Sequence, residues 1–180
     1  KIVDRREVRD SWMVVGFKAP SLLEEKERTV FDVLNNILGG GMYSRLFLKI
    51  REERGLSYQV GSLYVPLRGP SFICAYANFP YVYFDSVVGI LREELRGLSD
   101  IDDEEFEEAK NYTRGNFFHC LETVFSLSSL LSFFERVGLG WDFIFRYEEM
   151  LKNISLEEAK AVYQQFNGQG ESMGGIVPAE

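Results

Sequence analysis

The chain has 180 residues, of which 46% are hydrophobic, 14% aromatic and 27% charged, and this composition supports a folded core and excludes a disordered chain. Its 20 basic and 28 acidic residues give a net charge of −8, which disfavours a nucleic-acid-binding protein. No stretch approaches the ~20 consecutive apolar residues of a membrane span, and two cysteines with one histidine are too few for a zinc site within this chain.

The first predicted elements are a strand and a helix. Residues 11–17 are apolar at successive positions, which is typical of a central strand that is buried on both faces. Ser21 and Glu24 have the spacing of a capping box and predict the start of a helix. The glycines at 39–41 predict its end, because glycine adopts the left-handed conformation after a helix without steric cost.

A second helix and a hairpin follow. Residues 42–54 predict a helix that ends at Gly55. Apolar residues at positions 56, 58 and 60 alternate with polar or small ones, which indicates a strand with one buried face. Residues 71–79 predict its antiparallel partner, since the connection between the two segments is short.

The second half of the chain predicts four or more helices and one more strand. The helical patterns cover 81–98, 102–120, 124–137 and 143–151, and the second of these begins with Asp102 and Glu105. Ser155 and Glu158 form another capping box, for a helix that ends near residue 166, and 174–178 predict a last short strand. Paired strands with helices on one face make an α+β fold with a mostly antiparallel sheet, and we predict a single domain over residues 1–180.

The segment from Leu38 to Tyr58 carries the functional information. It reads Leu-Gly-Gly-Gly-Met-Tyr-Ser-Arg-Leu-Phe-Leu-Lys-Ile-Arg-Glu-Glu-Arg-Gly-Leu-Ser-Tyr and lacks the Gly-Lys-Ser/Thr of a phosphate-binding loop. Its glycines favour a tight corner between helices or a loop that admits the backbone of another chain. Without further information, Arg51 would be a surface residue paired with a neighbouring glutamate, and Tyr58 would cover the core.

This segment resembles the Leu-Gly-Gly-Gly…Ser-Arg-Leu…Arg-Glu…Gly-Leu-x-Tyr signature in the C-terminal half of pitrilysin/insulinase-type zinc metallopeptidases. That family includes the mitochondrial processing peptidases and small bacterial processing-protease relatives. Looser matches, at Gly-Phe-x-Ala-Pro before residue 21 and at Glu108-Ala109-Lys110, extend the resemblance over nearly the whole chain. In the family, zinc is held by the N-terminal half through His-x-x-Glu-His and a distal Glu. A chain with one histidine therefore resembles the C-terminal half, which binds no metal.

The resemblance implies a non-catalytic domain that closes the peptide chamber, binds substrate and supports the transition state. The family's C-terminal half supplies an Arg and a Tyr seven positions apart that reach the substrate, and Arg51 and Tyr58 match them. Gly39, Gly40 and Gly41 resemble, in shortened form, the glycine-rich loop of the substrate-recognising subunit of the processing peptidase, and are a candidate substrate loop. We expect no catalytic residue, no metal and no peptide cleavage from this chain alone, and zinc in the missing N-terminal half of a metalloendopeptidase.

The implied partners are the N-terminal catalytic half, in the same protein or in a partner subunit, and a peptide substrate. An apolar patch made to face that half would also allow a homodimer. The alternative is a structural or partner subunit of the same fold without proteolytic activity, like the core subunits of respiratory complexes. His-x-x-Glu-His upstream of Lys1 would distinguish the two. The compartment, bacterial cytoplasm or periplasm, stays open, since any export signal would also lie upstream.

Overall fold

Five strands form one sheet in the computed structural model, which describes residues 1–179. They are β1 (Ile2–Arg6), β2 (Ser11–Ala19), β3 (Gln59–Val65), β4 (Ser71–Phe79) and β5 (Ser172–Pro178), in the spatial order β1-β5-β2-β4-β3. The strands β1 and β5, at one edge of the sheet, are parallel. The other three neighbouring pairs are antiparallel. The predicted α+β fold with a mostly antiparallel sheet is confirmed, whereas β1 was not predicted.

The helices form a layer on one face of this sheet. They are α1 (Glu25–Leu38), α2 (Phe84–Arg96), α3 (Asp103–His119), α4 (Val124–Val137), α5 (Phe143–Asn153) and α6 (Leu156–Phe166), with a π-helical segment at Phe47–Glu52. Short 3₁₀ turns, Tyr81–Tyr83 and Gly97–Ser99, flank α2. The helices α1, α2 and α6 pack directly against strands, and α3 and α5 pack against α1.

The two faces of the sheet differ sharply in burial. On the face below the helices, Met13, Val15, Ile73, Ala75 and Ala77 are completely buried. The opposite face, which we call the outer face, presents Trp12, Val14, Leu63, Phe72, Tyr76 and Ile176. The strand β2 is central, as predicted, but its predicted burial on both faces is wrong, because within residues 1–179 the helices cover one face only.

Three of the helices begin with side-chain caps. The side chains of Asp102, Thr123 and Ser155 accept hydrogen bonds from backbone N–H groups in the first turns of α3, α4 and α6. The predicted cap at Ser21 is wrong: α1 begins after Glu24 and has no side-chain cap. The Glu24 carboxylate instead accepts a hydrogen bond from the Ser21 amide at 2.6 Å, which closes a turn before the helix.

Candidate functional site

The glycine run lies where α1 ends against β3. A Cβ atom on Gly39 would lie 2.4 Å from the backbone nitrogen of Ser62, and one on Gly40 would lie 2.2 Å from Asn36 Oδ1. Gly39 has a φ of −160°, and none of the three glycines has a positive φ. The predicted left-handed helix end is therefore wrong. Glycine is required at Gly39 and Gly40 because the chain approaches these neighbours more closely than a side chain allows.

A cavity of about 350 Å³ opens beside this corner, between the residues after Gly40 and the first half of α3. Its walls include Gly41, Met42, Tyr43, Glu108 and Tyr112, and we call it the turn cavity. Met42 is 69% exposed and Tyr43 is 89% exposed. The glycine run thus forms a tight corner, and accessible side chains follow it immediately.

The helix after the corner is shorter than the one predicted for 42–54. Helical structure starts at Arg45, and Phe47–Glu52 is a π-helix, in which each turn is wider by one residue than in an α-helix. Arg45, the first helical residue, is joined to α3, because its guanidinium bonds both carboxylate oxygens of Glu105, with an Nε to Oε1 distance of 2.6 Å. π-helical turns occur frequently at functional sites, and this one carries Arg51.

Arg51 and Tyr58 lie side by side. The Cζ atom of Arg51 is 4.2 Å from the centroid of the Tyr58 ring and 4.8 Å from that of Phe47. Tyr58 is 77% exposed, so it does not cover the core, which is the position expected for it without the family resemblance. The structure thus brings together the two residues singled out in the sequence, and we call them the Arg–Tyr pair.

A glycine and a serine shape the connection between the two residues. Gly55 has a φ of +59°, in the left-handed region that favours glycine, and its amide donates to the Arg51 carbonyl at 3.2 Å. Ser57 is buried, and its hydroxyl donates to the Asn78 carbonyl at 2.7 Å. Because Ser57 points inward, Tyr58 turns outward and β3 begins only after it. The predicted alternation is therefore wrong at its first positions.

The Arg51 guanidinium has little ionic pairing. Its nearest carboxylate oxygen, Glu52 Oε1, lies 4.0 Å from Nε, and the Glu52 side chain is 57% exposed. Such exposed pairs contribute little free energy. Within residues 1–179 the guanidinium makes ring contacts but no hydrogen bond, so its N–H groups are available to a ligand.

The sequence analysis missed Phe47, which belongs to the same cluster. The signal was present, since Phe47 stands four residues before Arg51 and residues at this spacing are neighbours on a helix. Arginine stacks readily on aromatic rings, so a Phe and an Arg at this spacing predict a stacked pair.

The described residues do not fit a zinc ion. No group of three or more His, Cys, Asp or Glu side chains within residues 1–179 is placed to hold a metal. The His119 side chain is 80% exposed on the surface, and its Nδ1 lies 2.9 Å from the Glu122 carboxylate. One histidine next to one carboxylate falls short of the three or four ligands that zinc takes.

Comparisons with known proteins point to one family. Residues 1–113 match the family model described as Peptidase M16 inactive domain. The chain is 27% identical over 166 residues to an uncharacterized zinc protease of Rickettsia bellii, covering 90% of this chain and 39% of that protein. It is 30% identical over 133 residues to the uncharacterized zinc protease YmxG of Bacillus subtilis, and this match covers 72% of this chain and 32% of that protein. The solved peptidase M16 inactive domain from Pseudomonas fluorescens superposes with a TM-score of 0.87 at 15% identity. This superposition covers 99% of this chain and 43% of the solved chain.

The chain therefore belongs to the peptidase M16 inactive-domain family, and the resemblance to the half of these peptidases that binds no zinc is confirmed. It spans 39% and 32% of the lengths of the two curated relatives. Within the described residues no single helix is long and apolar enough to cross a bilayer. The helices α3 and α4 would meet that criterion only together, and the chain bends by 107° between them.

Proposed function

We propose that this chain is the non-catalytic C-terminal domain of a zinc metalloendopeptidase, which closes over a bound peptide and helps to stabilise its transition state. The observation that carries the proposal is the Arg–Tyr pair. The Arg51 Cζ atom lies 4.2 Å from the Tyr58 ring centroid, Tyr58 is largely exposed and Arg51 partly so, and the guanidinium makes no hydrogen bond within residues 1–179.

The chemistry of the pair suits a peptide carbonyl. When the carbonyl carbon is attacked, its oxygen gains negative charge, and donors already aimed at that oxygen stabilise the transition state more than the substrate. The Arg51 guanidinium carries several N–H donors, and the Tyr58 hydroxyl adds one. Arg51 and Tyr58 stand on either side of a connection that Gly55 and Ser57 hold in place, so little reorganisation is needed.

The residues that activate the attack belong to the N-terminal half in this proposal. Zinc is expected there, since the donors of this chain do not fit it. The chain by itself would then contain no stoichiometric zinc, as measured by elemental analysis of the purified protein, and would cleave no peptide.

The candidate substrate loop, Gly39, Gly40 and Gly41, would contribute to substrate binding through the turn cavity and the exposed side chains that follow it. Two of these glycines are needed for close packing, and the turn cavity follows them. We propose that a side chain of the bound peptide enters the turn cavity between Tyr43 and Tyr112.

The outer face of the sheet is the proposed contact with the N-terminal half. Its apolar side chains span β3, β4, β2 and β5, and Trp12, Leu63 and Phe72 are 42%, 52% and 43% exposed. Contiguous apolar patches of this kind mark interaction surfaces. The curated relatives have most of their length outside the matched region, which supplies a second unit to cover the face. A homodimer through the same face is the competing outcome.

The test of the Arg–Tyr pair is a set of three variants in the complete parent protein. Arg51→Ala and Tyr58→Phe each remove donors, and each should lower peptide turnover by about 10²–10³-fold, the usual cost of one transition-state donor. Arg54→Ala removes an exposed cation three residues away and should leave turnover unchanged. Unchanged turnover in both Arg51→Ala and Tyr58→Phe would refute the assignment. A parent protein that lacks peptidase activity and His-x-x-Glu-His would instead indicate a structural or partner subunit.

A further inference from the structure

We infer that Phe47 is a positioning residue for Arg51, and that its ring is the platform which holds the guanidinium beside Tyr58. The inference rests on the proposed function and deepens it, because it adds a third residue to the same site. Phe47 would not touch the substrate; it would act by restricting where Arg51 can point.

Within residues 1–179, two aromatic rings and one exposed carboxylate lie close to the Arg51 guanidinium. Its Cζ atom lies 4.8 Å from the Phe47 centroid and 4.2 Å from the Tyr58 centroid, both within the ~6 Å range of cation–π attraction. The carboxylate of Glu52 is 4.0 Å away and largely exposed, so it holds the guanidinium weakly. A stacked guanidinium keeps its N–H groups at the ring edge, where they can still reach a ligand.

The two rings differ in how firmly they are anchored. Phe47 is half-buried in the π-helical segment, next to Leu46 and close to Ile50, which are both completely buried. Tyr58 is 77% exposed and precedes β3, outside the ladder of backbone hydrogen bonds. When Tyr58 bonds a peptide, Phe47 therefore remains as the fixed support of the guanidinium.

The first experiment observes Arg51 directly in this chain by NMR, in the wild type and in three variants. Phe47→Leu keeps an apolar side chain but removes the ring, and Phe47→Tyr keeps the ring. Leu48→Ala is the matched control, at a position that is 39% exposed in the same segment. We expect nuclear Overhauser contacts between Arg51 Hε and the Tyr58 ring protons in the wild type, in Phe47→Tyr and in Leu48→Ala, and their loss in Phe47→Leu, because the guanidinium is then no longer held beside Tyr58. Undiminished contacts between Arg51 and Tyr58 in Phe47→Leu would overturn the inference.

The second experiment measures peptide turnover in the complete parent protein. Phe47→Leu should lower kcat by about 2- to 30-fold, the range that loss of one cation–π contact implies, with little change in KM. Phe47→Tyr should restore turnover, and Leu48→Ala should have no effect. In an Arg51→Ala background, Phe47→Leu should cause no further loss, because the residue it positions is gone.

The outcomes separate this inference from the proposed function. If Arg51→Ala and Tyr58→Phe both leave turnover unchanged, the assignment of the Arg–Tyr pair fails, and the NMR result alone decides whether Phe47 positions Arg51. If Arg51→Ala lowers turnover but Phe47→Leu does not, the positioning role is refuted while the proposed function stands. A loss in Phe47→Leu that persists undiminished in the Arg51→Ala background would indicate a general structural effect and would also refute it.

Discussion

A buried arginine, Arg28, links α1 to the helices that pack on it. Its Cζ atom lies 5.0, 5.7 and 5.8 Å from the ring centroids of Phe143, Tyr147 and Phe134. Its Nε is 3.9 Å from Asp32 Oδ2, and the Tyr147 hydroxyl donates to the same oxygen at 2.8 Å. Burial raises the pKa of Asp32, while the charge of Arg28 and the Tyr147 hydrogen bond oppose that rise.

At this residue, Arg28→Met should destabilise the protein in a pH-dependent way. At about pH 7 the variant leaves the Asp32 carboxylate buried without its counter-charge, and the free energy of unfolding should fall by about 3–5 kcal/mol. At about pH 4 the loss should be smaller. The pKa of Asp32 is raised in the folded state above its ordinary value of 3.8, so lowering the pH protonates Asp32 in the folded state before it does so in the unfolded chain. Stability from this group is thus present at low pH and is lost as pH rises through the folded pKa, which removal of Arg28 raises further.

Urea denaturation at both pH values measures this effect. The double variant Arg28→Met/Asp32→Asn is the control, since it has no carboxyl group at the site and should lose the pH dependence between these two pH values. Equal losses for Arg28→Met at both pH values would contradict the account.

Helix starts show how local sequence and tertiary contacts combine at the scale of an element. At α6, the Ser155 hydroxyl accepts from the Glu158 amide at 3.2 Å, and the Glu158 carboxylate accepts from the Ser155 amide at 3.1 Å. Lys26 donates to the same carboxylate at 2.6 Å and, with the Ser155 amide, lowers the pKa of Glu158. At α1 the same Ser-x-x-Glu pattern makes only the second of these two bonds, from the Ser21 amide.

Two serine variants distinguish the real cap from the apparent one. Ser155→Ala removes the N-cap of α6 and should lower the free energy of unfolding by about 1 kcal/mol, as measured by chemical denaturation. Ser21→Ala should change it little, because the Ser21 hydroxyl caps no helix. Equal losses in both variants would show that Ser21 stabilises the chain in another way.

At the scale of the whole molecule, the sheet has one covered face and one apolar outer face. Trp12 and Tyr76 stack there with ring centroids 6.5 Å apart, and Ile176 is the register partner of Trp12 on the neighbouring strand. About 1 kcal/mol of hydrophobic free energy per half-exposed large side chain stays unrealised while such a face is open, which favours association.

The variant Trp12→Ser/Phe72→Ser should weaken binding to the separately expressed N-terminal half by at least about tenfold, since two large side chains leave the contact. Analytical ultracentrifugation of the mixed chains measures this, with Phe125→Ser as the control. Phe125 is 81% exposed on α4, away from the sheet. Unweakened binding in the double variant would refute the contact, and self-association abolished by it would identify a homodimer instead.

Local patterns predicted most elements, and distant contacts explain the errors. The capping residues Asp102 and Ser155 lie at the predicted helix starts, because a cap acts within one turn. The strand β1 has two apolar residues followed by three charged ones, without alternation, and pairs through its backbone with the far end of the chain, so no local pattern reveals it. The π-helical segment was likewise invisible, since a helix of either type has the same apolar spacing over so few residues.

The candidate site divides in the same way. Arg51, Tyr58 and the glycine run were found from a resemblance in the order of residues, whereas their geometry depends on neighbours remote in sequence. The outward turn of Tyr58 depends on the bond from Ser57 to Asn78 of β4, and Gly39 is needed because Ser62 of β3 approaches it.

The sequence by itself determined the family and the α+β class, because these follow from motif order and apolar periodicity. The tertiary structure alone decided that the outer face is open, that the glycines serve close packing, and that Phe47, Arg51 and Tyr58 form one cluster. These features depend on distances between segments. Such distances are set only when the chain packs, so a pattern of residues along the sequence does not predict them.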